Sequence, residues 1–258
     1  MADFTAKNIM ITGAAGGIGV GLCRHFLDAG ARVLALDLDA GGLDRLKGAM
    51  DAGERLHVAA VDLTDLAAVR GVVDGFGAID ILINNAGAAA ATALVNMTPE
   101  AWAHDLGINL TAAYHCVEAV KPAMMARGAG VIVNIGTVNA MTALGHPAYS
   151  AAKAGLISYT RSLAIEYGPL GIRANIICPG TVRTQAWNAR AERNPEIFTS
   201  LRKWYPLRDF PDPSDIAKAA AFLAGDDARM ITGVVLPVDA GLTAGNPVMA
   251  AELTLEKF

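Results

Sequence analysis

Apolar residues along this chain fall in short runs that alternate with segments of helical period. The run Lys7–Thr12 ends in glycines. Val20–Ala29 then repeats its apolar positions every three to four residues and stops at Gly30. Arg32–Leu36 is a second apolar run, ending at Asp37. Strand, glycine turn, helix and strand in that order make a βαβ unit with a right-handed crossover. The alternation continues. Strands are expected at Leu56–Val61, Ile79–Ile83, Gly130–Ile135, Ile172–Cys178 and Val234–Val238. Helices are expected at Leu43–Met50, Leu66–Phe76, one or two within Pro99–Arg127, Tyr149–Tyr167, and Asp212–Ala224 with Ser214 as an internal cap. Thr98 as cap with Pro99 at the first helical position is a good helix start. Strands without polar alternation belong to a sheet buried on both faces. The pattern therefore predicts an α/β fold, a doubly wound parallel sheet of seven strands with helices on both faces, as a single domain over 1–258. Thr181–Pro211 is the least regular stretch, and a loop of that length is expected to be a substrate lid.

Composition narrows the picture. Apolar residues make up 53% of 258, enough for a large core. Net charge is −4 without a block of like charges, which argues against nucleic acid or an anionic membrane surface as partner. Cys23, Cys116 and Cys178 are scattered and odd in number, as expected of free thiols in the cytoplasm. Neither a signal peptide nor a membrane span is visible.

Chemistry enters at three places. The glycines of Gly13-x-x-x-Gly17-x-Gly19 let the backbone turn tightly toward a pyrophosphate at a helix N-terminus, although a plain strand–helix corner would look similar. Asp37 closes the next strand, where a carboxylate accepts from both ribose hydroxyls and repels a 2′-phosphate. No Arg or Lys lies in 14–17 or 38–42, so the reading is NAD; the alternative for Asp37 is a capping or solvated carboxylate. Tyr149 and Lys153, four apart, share one helix face. A cation near a phenol lowers its pKa from about 10, so that Tyr149 could act as general base on an alcohol.

These motifs recur in order with others: Thr12 to Gly19, Asp37, Asp62-Leu63, Asn84-Asn85-Ala86-Gly87, Tyr149-x-x-x-Lys153, and Pro179-Gly180-Thr181-Val182-Arg183-Thr184. The set resembles the short-chain dehydrogenase/reductase family over essentially the whole chain. That resemblance implies a Rossmann fold and an oxidoreductase passing hydride between a carbinol and NAD. It implies that Asp62 and Leu63 hold the adenine, and that Asn85, Ala86 and Gly87 line the adenosine ribose. Ile18 would cover the pyrophosphate and nicotinamide side, and Thr181 to Thr184 would carry the carboxamide end of the nicotinamide, with Pro179 and Gly180 also binding the cofactor. Lys153 would also bond the nicotinamide ribose, and Asn109 would kink its helix and hold a proton-relay water. The family's substrate-positioning Ser is replaced here by Thr137, one residue closer to Tyr149 than is commonest; Asn139 and Ser150 are the alternatives. Asp239-Ala240-Gly241 departs a second time, with Ala where Gly is usual, and is expected to touch only C-terminal structure. The resemblance also implies pairing of the helices in 101–127 and 149–167 across a two-fold, giving a homotetramer.

Asn139, His146, Arg183, Gln185 and Trp187 are the expected substrate contacts. The lid is net positive, through Arg183, Arg190, Arg193, Arg202, Lys203 and Arg208 against Glu192, Glu196 and Asp209. It reads either as a clamp for an anionic substrate or as a solvated exterior. Alternative functions are a 3-oxoacyl thioester reductase and a non-catalytic dinucleotide sensor. No metal is expected.

Overall fold

The computed structural model describes residues 3–256. The apolar runs form seven parallel strands: β1 (Asn8–Thr12), β2 (Arg32–Asp37), β3 (Leu56–Ala60), β4 (Ile81–Asn84), β5 (Gly130–Ile135), β6 (Ile172–Pro179) and β7 (Val235–Val238). Their order in the sheet is β3-β2-β1-β4-β5-β6-β7. The chain builds outward from β1 in one direction, then returns to β4 and builds outward in the other. The strand C-termini therefore open a crevice between β1 and β4.

The helices are α1 (Gly17–Asp28), α2 (Ala40–Ala49), α3 (Leu66–Phe76), α4 (Pro99–Leu106), α5 (Ala112–Arg127), α6 (Pro147–Tyr167), α7 (Gln185–Arg193), α8 (Ile197–Arg202), α9 (Pro213–Ala224) and α10 (Pro247–Thr254). Successive strand residues feed two cores, one on each face of the sheet. Ile9 and Ile11 of β1 pack with Leu22 and Phe26 of α1 and Ile216 and Ala220 of α9. Met10, between them, packs with Val69 and Val73 of α3 and Val117 and Val120 of α5. With both faces covered, the central strands β1, β4 and β5 are buried along most of their length, and exposed polar residues are left at strand ends and on the edge, as at Arg32 and His57.

Several boundaries differ from expectation. Helices α1, α2 and α6 each start two or three residues early, and α6 opens on Pro147 at its first position. Ser214 is not the cap of α9. Asp212 is, in a reciprocal capping box with Asp215, and Pro213 occupies the first helical turn. The stretch 181–211 is not a loop, because it folds into α7 and α8. The α4–α5 region is two helices joined by a π-turn over Gly107–Thr111. The C-terminal helix α10, capped by Asn246 on Met249 N (3.0 Å), was not anticipated.

Candidate active site

The floor of the crevice is tied together across the strand switch. The Thr12 hydroxyl accepts from the N–H groups of Asn85 and Ala86, each at 3.0 Å. Asn85 Nδ2 donates back to the carbonyls of Thr12 and Gly13. Gly19 lies under this turn, where an added Cβ would stand 2.1 Å from Gly13 O, so only glycine fits. Asp37 Oδ2 accepts from Ala15 N (2.9 Å) and Oδ1 from Asp39 N (3.0 Å). A carboxylate has about four acceptor positions, so Asp37 holds the glycine turn and keeps capacity for a ligand. Asp62 accepts from Thr64 N and Oγ1, which lowers its pKa.

A trough of about 560 Å³ runs along this floor, lined by Gly13, Gly17, Ile18, Asp37, Asp62, Leu63, Asn85, Ala86, Gly87 and Thr184. It continues through Ile18, Asn85, Gly87 and Thr184 into a smaller cavity of about 210 Å³ that also takes in Thr137, Tyr149, Lys153, Pro179, Gly180 and Val182. A third cavity of about 950 Å³ shares Thr137, Tyr149, Gly180 and Trp187 with the second. These lining residues thus form one continuous channel, with Tyr149 at its junction.

Lys153 lies on the buried stripe of α6 with Ala152 and Leu156, and is 2% exposed. Its Nζ donates to Ile135 O (2.8 Å), and burial brings its pKa down to about 8. The ammonium lies 5.9 Å from the Tyr149 ring centroid. The expected lowering of the Tyr149 pKa is not what this arrangement gives. Burial raises it and a hydrogen bond from the Thr137 side chain opposes the rise, while the Lys153 Nζ bonds the Ile135 carbonyl.

Thr137 also caps the short 138–140 turn and accepts from Asn139 N at 3.3 Å. Ser150 Oγ donates to Gly145 O (2.9 Å) and lines none of the three cavities. Asn139 donates to the same carbonyl and lines the large cavity. Of the three, Thr137 alone stands against the phenol.

Asn109 sits in the π-turn, with Nδ2 donating to Ala88 O (2.6 Å) and Asp105 O (2.8 Å). Its Oδ1 is buried without a partner among the described residues. A Cβ at Gly87 would come within 2.6 Å of that Oδ1 and 3.3 Å of Lys153 Nζ, so an unused acceptor and the ammonium converge on one point. Beneath them lies a chain that the sequence did not single out. Asn84 Nδ2 donates to Asn134 Oδ1, Asn134 Nδ2 to Thr160 Oγ1, and Thr160 Oγ1 to Leu156 O, tying β4 and β5 to α6. Three polar residues inside apolar runs were the available signal.

On the outer side, Asn139, His146 and Trp187 line the large cavity as expected. Arg183 and Gln185 do not. Arg183 pairs with Asp209 and lies over the Phe210 ring, and Gln185 is exposed at the start of α7. Thr181 faces this cavity and accepts from the Tyr205 hydroxyl (2.8 Å). Ala240 holds a left-handed conformation, φ 52°, and Leu242 and Thr243 beyond it form part of the cavity wall. Ala240 itself lines none of the three cavities.

A family model described as enoyl-(acyl carrier protein) reductase matches residues 13–243. The crystal structure of an oxidoreductase of the short-chain dehydrogenase/reductase family from Burkholderia thailandensis is 55% identical, with a TM-score of 0.95 over 98% of this chain and 99% of that one. An uncharacterized oxidoreductase of Schizosaccharomyces pombe is 43% identical over 96% of this chain and 95% of its own. The D-threitol dehydrogenase of Mycolicibacterium smegmatis is 37% identical over 92% and 93%. On this sheet order, this ordered set of site residues and these similarities, the chain belongs to the short-chain dehydrogenase/reductase family of oxidoreductases.

Proposed function

We propose that this protein is an NAD-dependent dehydrogenase of secondary alcohols, sugar alcohols among them, with carbonyl reduction as the reverse reaction. The observation that carries the reading is the position of Tyr149 and Thr137, which line both the cavity continuous with the trough and the large outer cavity. The similarity to a D-threitol dehydrogenase supports an alcohol donor.

The residues fit a nicotinamide dinucleotide. Among the described residues Lys153 Nζ makes one hydrogen bond, so two ammonium N–H groups remain beside the unpartnered Asn109 Oδ1. That set suits a ribose hydroxyl and a bridging water. Asp37 would take the adenosine ribose, with Asp62 and Leu63 at the adenine and Asn85, Ala86 and Gly87 along the ribose. Ile18, Gly13, Gly17 and Gly19 would shape the pyrophosphate turn, and Pro179, Gly180, Thr181, Val182 and Thr184 would flank the nicotinamide. The bound dinucleotide supplies hydride acceptance at its nicotinamide ring.

The chain's own groups handle the proton. Tyr149 takes it from the substrate hydroxyl, and Thr137 donates a hydrogen bond to the same oxygen as negative charge develops there. Lys153 keeps positive charge below the phenol, and Asn109 with Lys153 holds the water through which the proton leaves. A phenol raised above its ordinary value stays protonated at neutral pH, the form that gives its proton to a carbonyl, while rising pH favours the form needed for oxidation. Asn139, His146 and Trp187 contact the substrate. We further propose a single catalytic domain that works as a homotetramer in the cytoplasm, a setting that suits three free, buried cysteines. The reading is tested by following reduced dinucleotide formed from a panel of secondary alcohols, polyols and hydroxy acids with either cofactor.

A further inference from the structure

We infer that Arg190 selects substrates that carry a carboxylate at the end remote from the reacting carbinol, joined to it by an apolar or aromatic body. This rests on the dehydrogenase reading and names the substrate class of the same site. The outer cavity, about 950 Å³, is near the upper end of the roughly 300–1,000 Å³ typical of ligand sites. A four-carbon polyol would leave most of it to water. Its inner end holds Tyr149 and Thr137, and its lid wall is Trp187, Leu201, Trp204 and Tyr205. Such a wall favours an apolar or flat body over a fully hydroxylated one.

Charge then decides the class. Among the described residues, Arg190 is the one Arg, Lys, Asp or Glu that lines this cavity. The net positive lid reduces to this residue. Arg183 is taken by Asp209, and the lid's remaining cations, Arg193, Arg202, Lys203 and Arg208, lie outside the lining. Arg190 has no carboxylate partner in any ion pair found among the described residues. Its guanidinium lies 5.0 Å from the centroid of the Trp187 ring, one helical turn earlier on α7. Stacking restricts the plane of the guanidinium and leaves its N–H edge free for the two parallel bonds a carboxylate accepts. Arg190 is exposed, so it stands at the mouth of the cavity and its effect is screened by salt.

The test uses two probes that differ only in charge, 4-(1-hydroxyethyl)benzoate and its methyl ester. In the parent protein the acid is expected to exceed the ester in kcat/KM by about tenfold, mainly through KM, and less at high salt. Arg190→Ala should bring the ratio to within about twofold of one, and Arg190→Lys should keep part of it, since charge remains and the fork is lost. Arg183→Ala should keep the full ratio. Equal use of both probes by the parent, or a ratio that Arg190→Ala leaves intact, would overturn the inference. Quenching of Trp187 and Trp204 fluorescence by the same probes reads binding without turnover. An Arg190-dependent preference in binding with no reduced dinucleotide formed sustains the inference and contradicts the dehydrogenase reading. Turnover of both probes without preference does the reverse.

Discussion

Thr137 is the residue on which the chemistry departs most from its family. Its hydroxyl stands against the Tyr149 phenol and caps the turn that follows β5. A donor aimed at the reacting oxygen acts more on the transition state than on the ground state, and losing one typically costs on the order of 10²–10³ in kcat. Thr137→Ala should lose about that much with dinucleotide affinity little changed, whereas Thr137→Ser should stay within roughly tenfold of the parent. Steady-state kinetics of the two variants separate hydroxyl from methyl; near-parental kcat in Thr137→Ala would remove the role. At this scale most of the candidate site was legible, Tyr149 and Lys153 by their spacing, Asp37 by its place at the end of β2, and Asn109 through the family resemblance. What was not legible was tertiary. The Tyr149 pKa is raised because the fold buries the phenol, and burial is not written in a four-residue spacing.

Among elements, strands and helix order were read correctly because burial on both sheet faces leaves an uninterrupted apolar signal. The ends were harder. Asp212, not Ser214, caps α9, since a carboxylate ahead of Pro213 can satisfy the first free N–H groups while Asp215 reaches back. The helices α7 and α8 went unseen because their apolar residues, Trp187, Ile197, Phe198 and Leu201, are sparse and pack locally, Trp187 against Phe198 at 6.1 Å between centroids. The turn after β7 carries a measurable strain. Ala240 adopts φ 52°, where an L residue with a Cβ loses roughly 1–2 kcal/mol, and glycine does not. Against glycine's larger unfolded-state entropy, Ala240→Gly should stabilise by about 0.5 kcal/mol, a rise of roughly 1–2 °C in Tm. A fall in Tm measured by calorimetry would mean that the methyl packs usefully. Asp239 accepts from Gly241 N and from Thr243 N and Oγ1, so the turn should keep its shape in the variant.

For the molecule as a whole, two features bear on assembly and cofactor choice. Trp102 of α4, Tyr114 of α5 and Ile165 of α6 are large apolar residues left exposed on the helices proposed to pair between copies. Pairing across two-fold axes into a dimer of dimers would cover them, and static light scattering at micromolar concentration should return the mass of four chains. A stable monomer would contradict it. No helix among the described residues is long and apolar enough to cross a membrane. The channel from Asp37 to Arg190 is the larger claim, because it assigns cofactor to one end, substrate to the other, and proton transfer to Tyr149 between them. The measurement that tests it most directly is reduced-dinucleotide formation by the parent and Tyr149→Phe across the alcohol panel, with NAD and with NADP. The parent is expected to turn over with NAD preferred at least about a hundredfold in kcat/KM, from repulsion at Asp37 and lost ribose bonds. Tyr149→Phe is expected to lose turnover while still binding the dinucleotide. Equal use of the two cofactors, or undiminished turnover in Tyr149→Phe, would contradict that claim.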